Sequence, residues 1–175
     1  MSPKTKWKIT AALIFVALAI LLPEVVSAGW HVVHGRSFEF RTWKVTVPFE
    51  WYAVRHGEGM SVQRMSRLSW QKGPVATFLP IHFGMAYHFD YDVFGSVQAK
   101  FLHAHGYLLP TQQSIRIAGQ EGRCWTFILA AQRDREWINC VSPADLTSVD
   151  YIGSVAYTNE FFAVVRNIQH LPPAH

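Results

Sequence analysis

Charged residues and cysteines are scarce in this chain. Of its 175 residues, 16% are charged, 50% are hydrophobic and two are cysteines. Such a composition supports one folded domain with a sizeable core and argues against intrinsic disorder. Beyond residue 28 the chain has 13 basic and 11 acidic residues, scattered without a Lys/Arg run. A nucleic-acid-binding domain would show a basic stripe, so we expect no nucleic-acid partner.

Motifs for catalysis and cofactor binding are missing as well. The sequence contains no C-x-x-C pair, no G-x-S-x-G elbow and no glycine-rich phosphate loop. These absences argue against redox, zinc-knuckle, α/β-hydrolase and nucleotide-binding sites. We therefore predict no catalytic residue, no cofactor and no bound metal.

The nine histidines provide one metal-site hypothesis. In "HFDYD", His88, Asp90 and Asp92 share one side of the chain if it is extended there, and imidazole and carboxylate groups suit a divalent ion. Asp92 is equally placed to cap a helix, and we favour that interpretation. The metal hypothesis defines an alternative function, an envelope hydrolase or metal-dependent enzyme that uses carboxylates and His88.

The N-terminus has the three parts of an export signal. "MSPKTKWK" is cationic, "ITAALIFVALAILL" is apolar, and Pro23 and Ala28 follow. Residues 1–28 are therefore predicted to be a signal peptide or an uncleaved membrane anchor. A stable span needs about 20 apolar residues, and the shorter apolar run favours cleavage.

Both interpretations of the N-terminus place the rest of the chain outside the cytoplasm. The protein is expected to be periplasmic or extracellular, or anchored to the membrane with its C-terminal domain outside. Residues 29–35 are predicted to be a linker, and residues 36–171 a single domain.

The two cysteines flank an apolar hairpin with the polar turn "QRDR". If the hairpin is centred on Gln132, Cys124 lies opposite Cys140, and Phe127 lies opposite Trp137. Facing residues in an antiparallel pair are close enough for a disulfide bond. Export to an oxidising compartment favours this bond over the alternative of two buried thiols.

Alternating apolar residues predict a strand from Trp43 to Trp51, which Pro48 interrupts. Phe38 and Phe40 are out of phase with it, so we expect a bend near Arg41. A second strand is predicted over 60–70. A third carries its apolar residues at odd positions from Val75 to Phe89, with an interruption or an edge position at Pro80.

The period then changes to that of a helix. Asp92 is predicted to cap it, a buried stripe follows i, i+4 spacing, and Gly106 ends it. The predicted stripe is Val93, Val97, Phe101 and Ala104.

Three further strands follow between residues 113 and 141. "SPAD" at 142–145 is typical of a helix start. A last helix is predicted from Thr158, with a buried face at Phe161, Val164, Val165 and Ile168. The order of elements predicts an α+β fold. Its antiparallel sheet of about six strands lies between helices as an α/β/α sandwich, preceded by an N-terminal hydrophobic helix.

Three segments resemble PsbP-like domains. "FEFRTWKVTVPFEWYAV" is similar to the family's aromatic opening strand with its Val-Pro step, "IRIAGQEGRCWTFIL" to its middle strands, and "SVAYTNEFFAVVRNI" to its closing helix. The resemblance covers most of residues 36–170. It implies that Pro48 ends the first strand and that Phe49 and Trp51 wedge the chain under the sandwich. The family's best-known members are extrinsic subunits of a membrane photosystem, other relatives bind a GTPase, and none is implied to be an enzyme.

The function predicted from the sequence is that of an exported, membrane-associated, non-enzymatic accessory or binding domain. Its expected partner is a membrane-protein complex or an envelope protein, with contact to the membrane through the N-terminal helix if that helix is uncleaved. Seven tryptophans mostly serve cores or interfaces. Trp51, Tyr52 and Trp70 are the candidate binding surface, because exposed aromatic side chains stack on sugars or dock proteins.

Overall fold

The computed structural model describes residues 3–65, 72–81, 90–145 and 147–172. Three α-helices, one 3₁₀ turn and ten strands follow one another along these residues. In chain order they are α1 (Pro3–His34), β1 (Ser37–Phe40), β2 (Trp43–Thr46), β3 (Tyr52–His56), β4 (Gly59–Met65), β5 (Lys72–Pro80), α2 (Tyr91–Ala104), β6 (Thr111–Ile117), β7 (Gln120–Leu129), β8 (Gln132–Ser142), β9 (Thr147–Ser154), the 3₁₀ turn (Val155–Tyr157), α3 (Thr158–Arg166) and β10 (Gln169–His170).

Within the described residues the strands form two antiparallel sheets. The larger has seven strands in the order β3-β4-β5-β9-β8-β7-β6, and the smaller has the order β1-β2-β10. One face of the large sheet packs against α3 and the small sheet around the main core. The other face packs against α2 through a second cluster around Trp125 and Phe127. The predicted α+β sandwich is confirmed, and its main sheet has one strand more than expected.

The alternating stripe from Trp43 to Trp51 begins in the small sheet and ends just before the large one. Trp43 and Trp51 are fully buried. The chain leaves the small sheet after Thr46, and Trp51 N donates a hydrogen bond to Pro48 O at 2.9 Å before β3 begins in the large sheet. Phe49, which we expected to be wedged under the sandwich, is 63% exposed. Pro48 thus ends the first strand as expected, but only Trp51 enters the core.

A two-residue turn explains the change of phase before Trp43. Phe40 pairs with Trp43 across β1 and β2, and Arg41 has a positive φ of 54°. The predicted bend near Arg41 is therefore a tight hairpin turn.

Strand β5 shows its buried face at even positions, opposite to the prediction. Ala76 and Phe78 are buried, whereas Leu79 is 39% exposed. The strand ends at Pro80, where an interruption was expected. The rest of the predicted third strand, over 82–89, lies outside the described residues.

Helix α2 differs from the prediction in its cap and in its buried face. Asp90, not Asp92, is the N-cap, and its carboxylate accepts hydrogen bonds from the backbone N–H groups of Asp92 and Val93. The predicted buried stripe points to solvent, since Val97 and its i±4 neighbours Val93 and Phe101 are all at least 58% exposed. The cause is a close approach on the opposite side of the helix, at Gly95. A Cβ there would overlap the indole of Trp125, so this glycine sits directly on the ring.

The "SPAD" segment forms a turn between strands instead of a helix start. Ser142 Oγ donates to Asp145 Oδ2 at 2.8 Å, and this bond closes the turn from β8 to β9. The pattern did not predict β9, because its residues are mostly buried on both faces and do not alternate. The closing helix α3 is confirmed, with Phe161, Val164 and Val165 buried on its predicted face. Ile168 is also buried, but it lies beyond the end of the helix at Arg166.

The cysteine hairpin has the predicted register. Cys124 pairs with Cys140, and Phe127 with Trp137. Both cysteines are fully buried, and their sulfur atoms lie 2.01 Å apart, a bonded distance.

Candidate functional site

The C-terminal half of helix α1 is built into the domain. Ser27 is 1% exposed, and its hydroxyl lies within hydrogen-bonding distance of two backbone oxygens, Trp51 O at 3.0 Å and Phe49 O. Those carbonyls belong to the segment that joins the two sheets. The hydroxyl of this small polar residue therefore satisfies a backbone carbonyl of the folded domain.

The next turn of α1 continues the same contact. His31 Nε2 lies 3.1 Å from Pro48 O, and the His31 ring stacks on Phe49 with centroids 5.4 Å apart. Trp30 packs against the main core. Residues 29–34, which we predicted as part of a linker, are therefore helical and docked.

The N-terminal half of α1 has the opposite character. Its large apolar side chains are exposed within the described part of the chain, among them Trp7, Ile9, Leu13, Ile14, Phe15 and Val16. No single described helix is long and apolar enough to cross a membrane. The segments Lys6–Ala17 and Leu21–His34, bent by 49° relative to each other, reach that length and composition together.

The aromatic surface expected at Trp51, Tyr52 and Trp70 does not form as one platform. Trp51 is fully buried, with its Nε1 donating to Glu160 Oε2 at 2.8 Å. Tyr52 is half-buried, and its hydroxyl accepts from Gln63 Nε2 at 2.8 Å. Trp70 lies outside the described residues.

Beside Trp51 lies a charged cluster that the sequence did not reveal. Arg64 forms a salt bridge with Glu50, approaches Glu160 Oε1 at 3.9 Å, and lies 5.0 Å from the centroid of the Tyr157 ring. The cluster joins β4 to the start of α3. Its members come from three separate parts of the chain, so no local spacing could have predicted it.

Two carboxyl groups have raised pKa values for the same physical reason. Burial raises the pKa of Glu136, although a hydrogen bond from the Thr158 hydroxyl partly offsets it. Burial also raises the pKa of Asp150, offset by hydrogen bonds from Asn139 and Trp137. Glu136 accepts a hydrogen bond from Thr158 at the start of α3. Trp137 is the next residue along β8, and its side chain lies on the α2 side of the sheet, where it donates to Asp150. The two carboxyls therefore lie on opposite faces of the sheet and cannot form a catalytic pair.

Asp150 belongs to a row of polar side chains across four strands. Ser61 pairs with Thr77, Thr77 with Asp150, and Asp150 with Asn139. The hydroxyls of Ser61 and Thr77 are 3.3 Å apart, and Trp137 Nε1 donates to Asp150 Oδ1 at 3.3 Å. Such a network fixes strand register on this face, because each member would lose a partner if a strand slipped.

The metal hypothesis receives no support from the residues that the structure describes. Asp90 caps α2, and Asp92 forms a salt bridge with Arg123 at 3.1 Å. His88 lies outside the described residues. No group of three or more His, Cys, Asp or Glu side chains suited to a metal ion occurs in the described ranges.

Comparison with known proteins identifies the architecture. No protein-family model and no curated protein matches the chain. The solution structure of cyanobacterial PsbP from Synechocystis sp. PCC 6803 superposes with a TM-score of 0.50 over 77% of this chain and 90% of that one, at 12% identity. The fold is PsbP-like. At this identity, the similarity concerns the fold alone.

The PsbP-like domain carries one feature that the sequence could have revealed. Ser27, Trp30, His31 and His34 follow i, i+3, i+4, i+7 spacing on one face of α1, which is typical of a packed helix surface.

Proposed function

We propose that the protein is an exported, non-enzymatic accessory domain that remains anchored to the membrane by an uncleaved α1. The single observation that carries the proposal is the buried Ser27, whose hydroxyl lies within hydrogen-bonding distance of the carbonyl oxygens of Phe49 and Trp51. Cleavage after Ala28 would remove Ser27 and leave Gly29–His34 as less than two turns of helix. So short a helix is unstable in water without its N-terminal continuation.

The exposed apolar half of α1 is the part of the anchor that enters the membrane. Nonpolar side chains such as Leu13 and Phe15 are mostly exposed in the described chain, and a bilayer would cover them. Lys4, Lys6 and Lys8 precede the apolar run that begins at Ile9, and they hold the N-terminus on the cytoplasmic side. The PsbP-like domain then lies outside, where an oxidising compartment maintains the bond between Cys124 and Cys140.

The accessory role rests on how the polar groups that could have served catalysis are arranged. The two carboxyls with raised pKa values lie on opposite faces, and Trp51 and Glu160 are joined to each other. A membrane-protein complex or an envelope protein is the partner class that an anchored domain meets.

Intact mass spectrometry of the chain purified from its own membranes tests the anchor. We expect a mass that includes residues 1–28 and resistance to alkaline extraction. A chain that begins at Gly29 and is released as a soluble protein would contradict it. Leu13→Lys with Phe15→Lys should release the chain or block its insertion. Val32→Lys, at a still more exposed apolar position on the docked half of the helix, is the control and should leave extraction unchanged.

A second experiment tests the accessory role. Affinity purification in mild detergent, with mass spectrometry of the co-purifying proteins, should recover a stable partner. Recovery of none, together with turnover on a panel of envelope substrates, would favour the enzyme alternative instead.

A further inference from the structure

Strand β6 lies at one edge of the seven-stranded sheet, where α3 contacts it. It pairs only with β7 in the part of the chain that the structure describes, whereas α1 packs against β3 at the opposite edge. The β6–β7 hairpin closes at Ile117 and Gln120 through Ala118 and Gly119, both with positive φ. In a two-residue hairpin of this kind, the closing pair exchanges backbone hydrogen bonds. Every second residue back along β6, beginning with Arg116 and Ser114, therefore directs its N–H and C=O outward.

A groove lies along this edge. It has a volume of about 320 Å³ and is lined by Gln113, Ser114, Ile115, Arg116 and Arg166. Arg166, the last residue of α3, holds its guanidinium carbon 5.7 Å from the centroid of the Phe162 ring. Glu121 faces Arg116 across the ladder. Nevertheless, among the described residues neither Arg116 nor Arg166 forms a salt bridge.

We propose that this groove binds an extended acidic peptide segment of a partner protein, which adds to β6 as an eighth strand. The outward backbone groups of Ser114 and Arg116 supply the ladder hydrogen bonds, as in other cases of strand addition. The guanidinium groups of Arg116 and Arg166 supply charge-assisted hydrogen bonds to carboxylates of the segment.

Charge selects this occupant over a second copy of the chain. Pairing of two β6 strands would bring the same two arginines from each copy to one seam, where like charges repel. An acidic segment neutralises them. The groove is separate from the anchor helix, so its test and the test of α1 can fail independently.

Fluorescence anisotropy with the full chain in nonionic detergent micelles tests the proposal. The probe is a fluorescein-labelled peptide as long as β6, with alternating Thr and Val and two central glutamates. Its partner probe has lysines in place of the glutamates. We expect the glutamate peptide to bind and the lysine peptide to bind at least about tenfold more weakly.

Variants separate the backbone contribution from the charge contribution. Ser114→Pro removes an outward N–H without breaking the ladder to β7 and should abolish binding, whereas Ser114→Ala should retain it. Arg116→Gln and Arg166→Gln should each weaken binding about tenfold or more. Arg55→Gln, at an exposed arginine on the opposite edge strand, should have no effect.

Each of three outcomes would overturn the proposal. The first is no binding of either peptide, and the second is equal binding by Ser114→Pro and Ser114→Ala. The third is concentration-dependent dimerisation of the full chain that Ser114→Pro abolishes, which would assign the edge to a second copy.

Discussion

The indole Nε1 of Trp51 donates a hydrogen bond to Glu160 Oε2 over 2.8 Å, although 109 positions separate the two residues in the chain. The bond connects the entry of β3 to the first turn of α3, with the Trp51 side chain fully buried. We expect Trp51→Phe to lower the free energy of unfolding by about 2–4 kcal/mol, because it removes the donor and leaves a cavity. Urea unfolding followed by intrinsic fluorescence measures the change.

Glu50, an exposed member of the charged cluster beside Trp51, provides the control. Glu50 forms its salt bridge with Arg64, but half of its side chain is open to solvent. Glu50→Gln should therefore change stability by less than about 1 kcal/mol. A loss as large as that of Trp51→Phe would show that the charged cluster, and not the buried indole, holds α3 in place.

A pair of substitutions on α2 tests which face of the helix is packed. Leu102 is 2% exposed and Val97 is 61% exposed. Leu102→Ala should cost about 2–4 kcal/mol of stability, whereas Val97→Ser should change it by about 0.5 kcal/mol or less. Thermal unfolding measures both. A large loss of stability with Val97→Ser would indicate that the face predicted by the i, i+4 pattern is the packed one.

Asp150 should make stability depend on pH. Its pKa is raised above the ordinary 3.8, chiefly by burial, so the folded chain binds this proton more tightly than the unfolded chain. The free energy of unfolding therefore falls as pH rises through the window between these two pKa values, and the ionised carboxylate opposes folding above it. Asp150→Asn keeps an oxygen for Asn139 and Trp137 and removes the charge. Relative to the native chain, this variant should gain stability as pH rises.

Urea titrations at several values from about pH 4 upward measure this difference. Asp134→Asn, at an exposed carboxylate in the β8 strand, is the matched control for loss of one negative charge. If both variants follow the same pH profile, burial of Asp150 does not govern its protonation.

The bond between Cys124 and Cys140 should stabilise the fold without determining it. In the chain-entropy model, a cross-link at a sequence separation of 16 contributes about 3 kcal/mol. The Cys124→Ala/Cys140→Ala variant should keep its circular dichroism spectrum and melt at a lower temperature. Thiol titration of denatured, unreduced protein from an oxidising compartment should detect no free thiol. Two free thiols there would contradict the bond.

Elements whose partners are close in sequence could be predicted. The hairpin that places Cys124 opposite Cys140 is local, and the buried face of α3 follows its own periodicity. The buried face of α2 could not be predicted in this way. It depends on Gly95 meeting Trp125, and only the folded sheet brings that indole to the helix. The helix start predicted at Ser142 was also wrong, because the Ser142 and Asp145 side chains that could cap a helix instead close a turn between two strands.

In the candidate site, too, local patterns could be predicted from the sequence and contacts between distant residues could not. The N-terminal apolar run, which is typical of an export signal, is a local pattern, and it lies largely in the exposed half of α1. The contact of Ser27 with the carbonyl of Trp51 spans 24 positions and carries no motif. The aromatic character of Trp51 suggested an exposed platform, but burial and a distant carboxylate gave it a structural role.

Helix α1 runs into strand β1 through only Gly35 and Arg36, with Gly35 at a positive φ of 73°. For a chain that α1 holds in the bilayer, this short connection removes the slack of a flexible tether. The domain then samples a thin layer at the membrane surface, with its tilt set by the helix. Its local concentration is high for proteins in the same bilayer and negligible for proteins farther away.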